Sequence, residues 1–146
     1  MIYAQEPIAK ILADGADMMQ RHWEEIKIYD TPLNIDHDKY ATLENAGMLW
    51  CLGVRDNGKL IAYAVFIVTT HLHYAQTLFA MNDAVFVEPS YRKSGVGVRL
   101  FKACEERLKK LGVCRITWHI KTTNNWVPMM ERLGYRIDDI IVSKEV

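Results

Sequence analysis

The chain has 146 residues, half of them hydrophobic and a quarter charged, with 18 basic residues balanced by 18 acidic ones. That is enough for one domain with a real core and too little for two typical ones, and the composition is neither that of a disordered segment nor that of a membrane protein. A formal net charge of zero argues against a broad nucleic-acid-binding surface, because phosphate neutralisation calls for a basic surplus.

The opening residues, Met1-Ile2-Tyr3-Ala4-Gln5-Glu6-Pro7, lack the basic start and apolar stretch of a signal peptide. The longest apolar run, residues 60–68, is about half of what a bilayer span needs. The three cysteines, Cys51, Cys104 and Cys114, fit neither a zinc site nor a CxxC motif. They read as reduced thiols of a cytoplasmic protein that holds no metal and touches no membrane.

Taken in chain order, residues 2–5 read as a short opening strand. Residues 12–27 read as a helix with Ala16, Met19, Trp23 and Ile26 at three- and four-residue spacing, with Gly15 near its start. Residues 30–34 form a loop, after which Asp36 caps a second short helix that carries Tyr40 and Leu43 and stops at Gly47. Residues 49–54 and 60–68 are strands joined by Asp56-Asn57-Gly58, a hairpin signal because Asn and Gly tolerate positive φ. Residues 78–87 make another strand, which runs through Pro89 into Arg92-Lys93-Ser94-Gly95-Val96-Gly97. Residues 98–111 form an amphipathic helix with Phe101, Cys104, Leu108 and Leu111 on its apolar face, ended by Gly112. A strand over residues 113–120, a short helix over 126–133 and a last strand over 135–142 complete the chain. The order predicts an α/β fold with a mixed sheet.

The chemistry concentrates where a strand, a glycine turn and a helix N-terminus follow one another. The first helix N–H groups have no internal partner, and the helix dipole favours an anion there. Gly95 and Gly97 let the backbone approach phosphate oxygens, and Arg92 and Lys93 add positive charge. Neither GxxxxGK[ST] nor GxGxxG is present. A tight strand-to-helix turn that merely needs glycine is the competing reading of the same residues.

The stretch Val87-Glu88-Pro89-Ser90-Tyr91-Arg92-Lys93-Ser94-Gly95-Val96-Gly97 resembles the acyl-CoA-binding motif of the GNAT superfamily of N-acyltransferases. In that family a strand ends in Val-x-Pro-x-Tyr-Arg, followed by two residues and Gly-x-Gly. More loosely, His71-Leu72-His73-Tyr74, residues 91–100 and Glu131-Arg132-Leu133-Gly134-Tyr135 resemble phage-borne members. The resemblance implies a single GNAT-type domain over residues 1–146, with a central mixed, mostly antiparallel sheet of about six or seven strands flanked by about four helices. It also implies acetyl-CoA as co-substrate, an amine acceptor of unknown identity, and a homodimer formed through late strands.

Carried onto this chain, the resemblance assigns the CoA diphosphate to the backbone N–H groups of Lys93, Ser94, Gly95, Val96, Gly97 and Val98, with Arg92 organising the loop. The pantetheine arm pairs with the backbone of Val85, Phe86 and Val87, and the N–H of Phe86 or Val87 faces the oxyanion. Asp83 is the first choice for binding and deprotonating the amine; bracing the neighbouring loop is its other reading. Glu88 is a weaker base candidate. His119 is either a proton relay or a hydrogen-bonded sheet histidine. His71, His73 and Tyr74 form a wall of the substrate pocket or pack locally; a metal site would need a third ligand that the spacing does not provide. The acceptor site is expected between the first two helices, residues 30–34 and residues 71–77, which carry Trp23, Tyr29, Asp36, His37 and Tyr74.

One departure bears on catalysis. The family tyrosine that protonates the departing thiolate falls on Met130, which has no proton to give. Tyr91, His119 or water is left to supply it, or the protein binds acyl-CoA without transfer. Asn124 and Asn125 resemble the family asparagine that contacts pantetheine, and either could instead cap the helix that follows.

Overall fold

A computed structural model describes Met1–Val146. Five strands form one sheet, in which spatial order follows chain order: β1 (Ile2–Gln5), β2 (Leu49–Asp56), β3 (Lys59–His71), β4 (Tyr74–Val87) and β5 (Val113–Thr117). The first four pair antiparallel and β5 joins β4 in parallel. Antiparallel neighbours need only a tight turn. Between β2 and β3 that turn sits on Asn57 and Gly58, at φ 48° and 81°. A parallel neighbour needs a crossover, supplied by helix α4 (Val96–Lys110).

Helices α1 (Ile8–Asp14), α2 (Ala16–Ile26) and α3 (His37–Asn45) cover one face of the sheet, α4 covers the other, and α5 (Val127–Arg132) follows β5. Alternation along β3 divides the core. Tyr63 and Val65 pack with Ile8, Ile11, Met18 and Met19, whereas Ala62, Ala64 and Phe66 pack with Leu100, Cys104 and Leu108 of α4. No helix is long and apolar enough to cross a membrane.

Three elements differ from the sequence reading. The first helix starts earlier and is two helices. A Cβ at Gly15 would lie 2.7 Å from the Ile11 carbonyl oxygen, so glycine alone permits the break there. The β3–β4 hairpin is longer at both strands, which puts Leu72 and His73 at its tip. The final strand over residues 135–142 does not form, so the sheet has five strands, not six or seven, beside five α-helices. In extended conformation that segment would place Tyr135, Ile137, Asp139 and Ile141 on one face and Arg136, Asp138, Ile140 and Val142 on the other. Each face mixes apolar side chains with an aspartate, so neither can be buried. Ile137, Ile140, Ile141 and Val142 all remain exposed.

The cysteines play no part in the sheet's polar chemistry. Burial pushes the Cys51 thiol up to about 12 and raises Cys104 as well, and Cys114 is a free exposed thiol.

Leu100 on α4 is fully buried among Leu52, Phe66 and Cys104, and this helix carries the glycine loop at its head. Truncating Leu100 to alanine is expected to cost about 2–5 kcal/mol of unfolding free energy, read from a shifted denaturant midpoint at unchanged slope. A loss below about 0.5 kcal/mol would mean that α4 is not seated as described.

Candidate active site

The site begins where β4 and β5 stop pairing. Their last paired residues are Met81 and Thr117. On its other edge, β4 steps from Asn82 opposite Phe66 to Ala84 opposite Val65, which leaves Asp83 as an extra residue without a partner. Such a bulge bends its strand and increases the local twist, so β4 turns away from β5 at this point. The side-chain oxygen of buried Asn82 accepts the backbone N–H of His119. It satisfies a donor that has left the ladder, and the opening between the strands becomes a fixed wedge.

Backbone groups along the wedge are free on one side. The Glu88 N–H donates to the Ile61 carbonyl at 2.9 Å, and antiparallel alternation then turns the amide of Phe86 toward β3 and those of Val85 and Val87 toward the gap. Of the two amides that sequence comparison offers to an oxyanion, only that of Val87 faces the opening.

Beyond Val87 a 3-10 turn, Pro89–Ser94, leads to Gly95 at φ 75°, and α4 starts at Val96. Arg92 points inward: its Nε donates to the Val87 carbonyl at 2.9 Å and its guanidinium grips both Glu25 oxygens at 2.8 Å. These contacts tie the loop to β4 and to α2. The Tyr91 hydroxyl donates to Asp56 at 3.0 Å, which ties the loop to the β2–β3 turn and takes this phenol away from the wedge. Lys93 and Ser94 belong to the 3-10 turn, where amides bond to carbonyls three residues back. The first intrahelical bond of α4 runs from the Arg99 N–H to the Gly95 carbonyl, and no side chain caps the helix. The amides of Val96, Gly97 and Val98 therefore have no intrahelical acceptor, and the Gly95 N–H makes no backbone bond either. Lys93 adds a cation beside them that has no ion-pair partner.

A cavity of about 190 Å³ opens in the wedge, and His22, Asp83, Val85, His119, Lys121, Asn124 and Trp126 all contribute to its wall. Asp83 accepts the phenol of Tyr40 from α3. Burial and this bond raise the Tyr40 pKa, so the phenol remains a donor. His22 from α2 has Nδ1 2.8 Å from the Tyr63 hydroxyl, and its ring lies 5.1 Å from that of Phe86. Burial pushes the His22 imidazole down to about 4 and raises the Tyr63 phenol. The Tyr63 O–H has no other acceptor, so it donates to Nδ1. The remaining proton then sits on Nε2, where His22 is a neutral donor.

The structure therefore brings Asp83, Val85, His119 and Asn124 together. It holds Asn125 apart, with its side-chain oxygen accepting the Val127 N–H at 3.0 Å at the head of α5. Asn124 donates to Glu25 at 3.4 Å and Thr123 to the Ile26 carbonyl at 3.3 Å, so α2 reaches across the wedge from the Arg92 side to the Asn124 side. Glu88 is ion-paired with Arg21. His71, His73 and Tyr74 sit at the β3–β4 tip, packed on one another and on Phe79, and none lines the cavity. Met130 is buried in the core. His22, Asn82 and Lys121 are site residues that the sequence reading missed. His22 had a signal, because it follows Met18 by four residues and Met19 by three and so lies on the buried face of its helix. No group of three or more metal-ligating side chains gathers anywhere.

The model of the acetyltransferase (GNAT) family matches residues 15–135. In sequence, no curated protein matches the chain. Among solved structures, the tetramutant of the BH1408 protein of Bacillus halodurans is 17% identical with a TM-score of 0.78, and the match covers 100% of both chains. A ribosomal-protein-alanine N-acetyltransferase of Brucella melitensis biovar Abortus 2308 is 12% identical with a TM-score of 0.73, covering 100% of this chain and 99% of that one. A predicted acetyltransferase of Clostridium acetobutylicum, determined with acetyl-CoA, is 15% identical with a TM-score of 0.71, covering 99% and 95%. At these identities the likeness is one of fold.

The state of His22 has a measurable consequence. The unfolded chain protonates this imidazole near 6.5, whereas the folded chain resists until about 4. Between those values the unfolded state binds the extra proton, so His22 lowers stability as pH falls from about 6.5 to about 4 and has no such effect above. The His22→Gln variant is expected to show a flatter stability–pH curve in that window by chemical denaturation. Parallel curves for variant and wild type would contradict the buried neutral imidazole.

Proposed function

The chain belongs to the acetyltransferase (GNAT) family, and on that premise we propose that it moves an acetyl group from acetyl-CoA to a primary amine held in the wedge cavity. The observation that carries this reading is the run of unpaired amides at Val96, Gly97 and Val98, at the end of a strand that has parted from its neighbour. An anionic diphosphate would complete those amides and the positive end of the α4 dipole, with Lys93 beside it. The pantetheine arm would then follow the backbone edge of Val85 and Val87 into the wedge, which brings the thioester to the cavity.

There the amine nitrogen must be neutral to attack. Asp83, oriented by Tyr40, holds the ammonium and takes a proton. The nitrogen forms its bond to the thioester carbon, the carbonyl oxygen takes the charge opposite the Val87 N–H, and the C–S bond breaks on collapse. The sulfur leaves as thiolate, a fairly stable anion, and takes up the second proton that the nitrogen sheds as the amide forms, carried by water or through His119 at the cavity wall. Tyr91, engaged with Asp56, is less suited to that step, and Met130 offers no proton. The second reading, acyl-CoA binding without transfer, is favoured by Met130 alone. Free-thiol release from acetyl-CoA with a panel of amines separates the two, since binding without release on any amine supports the second.

Gly97 supplies the test of the cofactor's position. A Cβ there would meet Val87 Cγ2 at 3.9 Å and Phe101 at 4.0 Å, ordinary contacts, so Gly97→Ala should fold at least as stably as wild type. The same Cβ stands where phosphate oxygens must approach the backbone. Saturating CoA at a hundred times its Kd stabilises a binder by about 2.7 kcal/mol. The CoA-dependent rise in Tm is expected to shrink in Gly97→Ala and to vanish in Gly97→Glu, while both apo proteins stay folded. An undiminished rise in Gly97→Glu would move the diphosphate elsewhere.

A further inference from the structure

The wedge cavity is bipolar. Among its wall residues, Asp83 and Lys121 carry full and opposite charges. Asp83 accepts the Tyr40 phenol but has no cation within ion-pair distance, and the Lys121 ammonium makes neither an ion pair nor a hydrogen bond. The charged groups around the rim behave differently: Arg21 is matched by Glu88, and Arg92 by Glu25. Both of these rim arginines are thus neutralised within the protein, whereas the two charged residues of the cavity wall are left unpaired. An ammonium and a carboxylate that share a cavity wall without pairing are apart by more than ion-pair range, and a guest of one charge would satisfy one pole and ignore the other. A small cavity of about 190 Å³ also favours a compact guest whose two charged groups are a few bonds apart.

We infer that the acceptor is a small zwitterionic amine, a primary amine that also bears a carboxylate or phosphate, with its ammonium at Asp83 and its acidic group at Lys121. This rests on the transferase reading and adds the substrate class. Lys121 is here a specificity residue: it touches the acceptor's far end and not the reacting atoms. Carboxylate and phosphate share the chemistry of an anionic oxygen cluster facing an ammonium, and their source is settled by comparison of probes.

The experiment uses matched amines: propylamine against β-alanine, and ethanolamine against O-phosphoethanolamine. Each is assayed for thiol release from acetyl-CoA and, separately, titrated calorimetrically into CoA-saturated protein. In wild type the acidic member of at least one pair is expected to win by about tenfold or more in kcat/KM and in affinity, the worth of one charge-assisted contact. Which pair shows it tells carboxylate from phosphate. Lys121→Met should bring that ratio close to one, and Lys121→Glu should turn the preference toward a diamine such as putrescine. Equal handling of both members in wild type, or a preference that survives Lys121→Met, overturns the inference. So does a loss of acetyl-CoA affinity in Lys121→Met with the ratio unchanged, which would give Lys121 to the co-substrate. If no amine releases thiol, Lys121-dependent binding of the acidic probes still supports the inference while the transferase reading falls. Turnover without discrimination does the reverse.

Discussion

A β-sheet that cannot close is what the rest of this molecule depends on. At Asp83 one residue too many on β4 shifts the strand's register against β3, and beyond Met81 the outer edge of β4 has no partner. Leaving backbone amides unpaired in a protein costs about 1–3 kcal/mol each when they are buried. The chain reduces the cost by putting the Asn82 side chain on the stray His119 amide and by opening the remaining edge to a cavity. The unsatisfied amides of Val85, Val87 and the first turn of α4 thus form one continuous line of donors, and a ligand that supplies acceptors along that line is the natural completion of the fold.

Polar contacts, not core packing, fix the surroundings of that line. Helix α2 reaches both sides of the opening through Glu25, which holds Arg92 on one side and Asn124 on the other, and through the Ile26 carbonyl that accepts Thr123. Such contacts, partly exposed, contribute modestly to stability and separate at little cost, which suits an element that spans the path proposed for a cofactor arm. Deeper in, Tyr63 and Tyr40 hold His22 and Asp83 at set positions. Each tyrosine is kept protonated by burial and hands its hydrogen to the residue facing the cavity. The two aromatic side chains convert a buried core layer into an oriented polar floor.

Much of this was legible in the residues. The strand, glycine turn and amphipathic helix were readable because Val87, Pro89, Gly95 and Gly97 each have a local physical reason to sit where they do, and apolar periodicity marked every core element except the first helix. The wedge itself was not legible. A bulge is a mismatch in length between two strands far apart in sequence, so nothing near Asp83 announces it. For the same reason Asn82 looked like an ordinary strand residue and Lys121 like an ordinary surface lysine. The hairpin histidines misled in the opposite direction: His71 and His73 suggested a pocket wall, but the strands run longer than the apolar stretch implied and carry them beyond it. The last strand failed because two adjacent aspartates break the alternation that burial requires.

The central claim is that a nucleotide tail engages main-chain donors along the parted edge of β4 and the head of α4. Titrating CoA into nitrogen-15-labelled protein and following backbone amide resonances tests it residue by residue. Val85, Val87, Val96, Gly97 and Val98 are expected to shift together and saturate at one dissociation constant, with Phe86 and the amides at the β3–β4 tip little changed. Shifts confined to other parts of the molecule, with those of Val96 to Val98 unmoved at saturation, would contradict it.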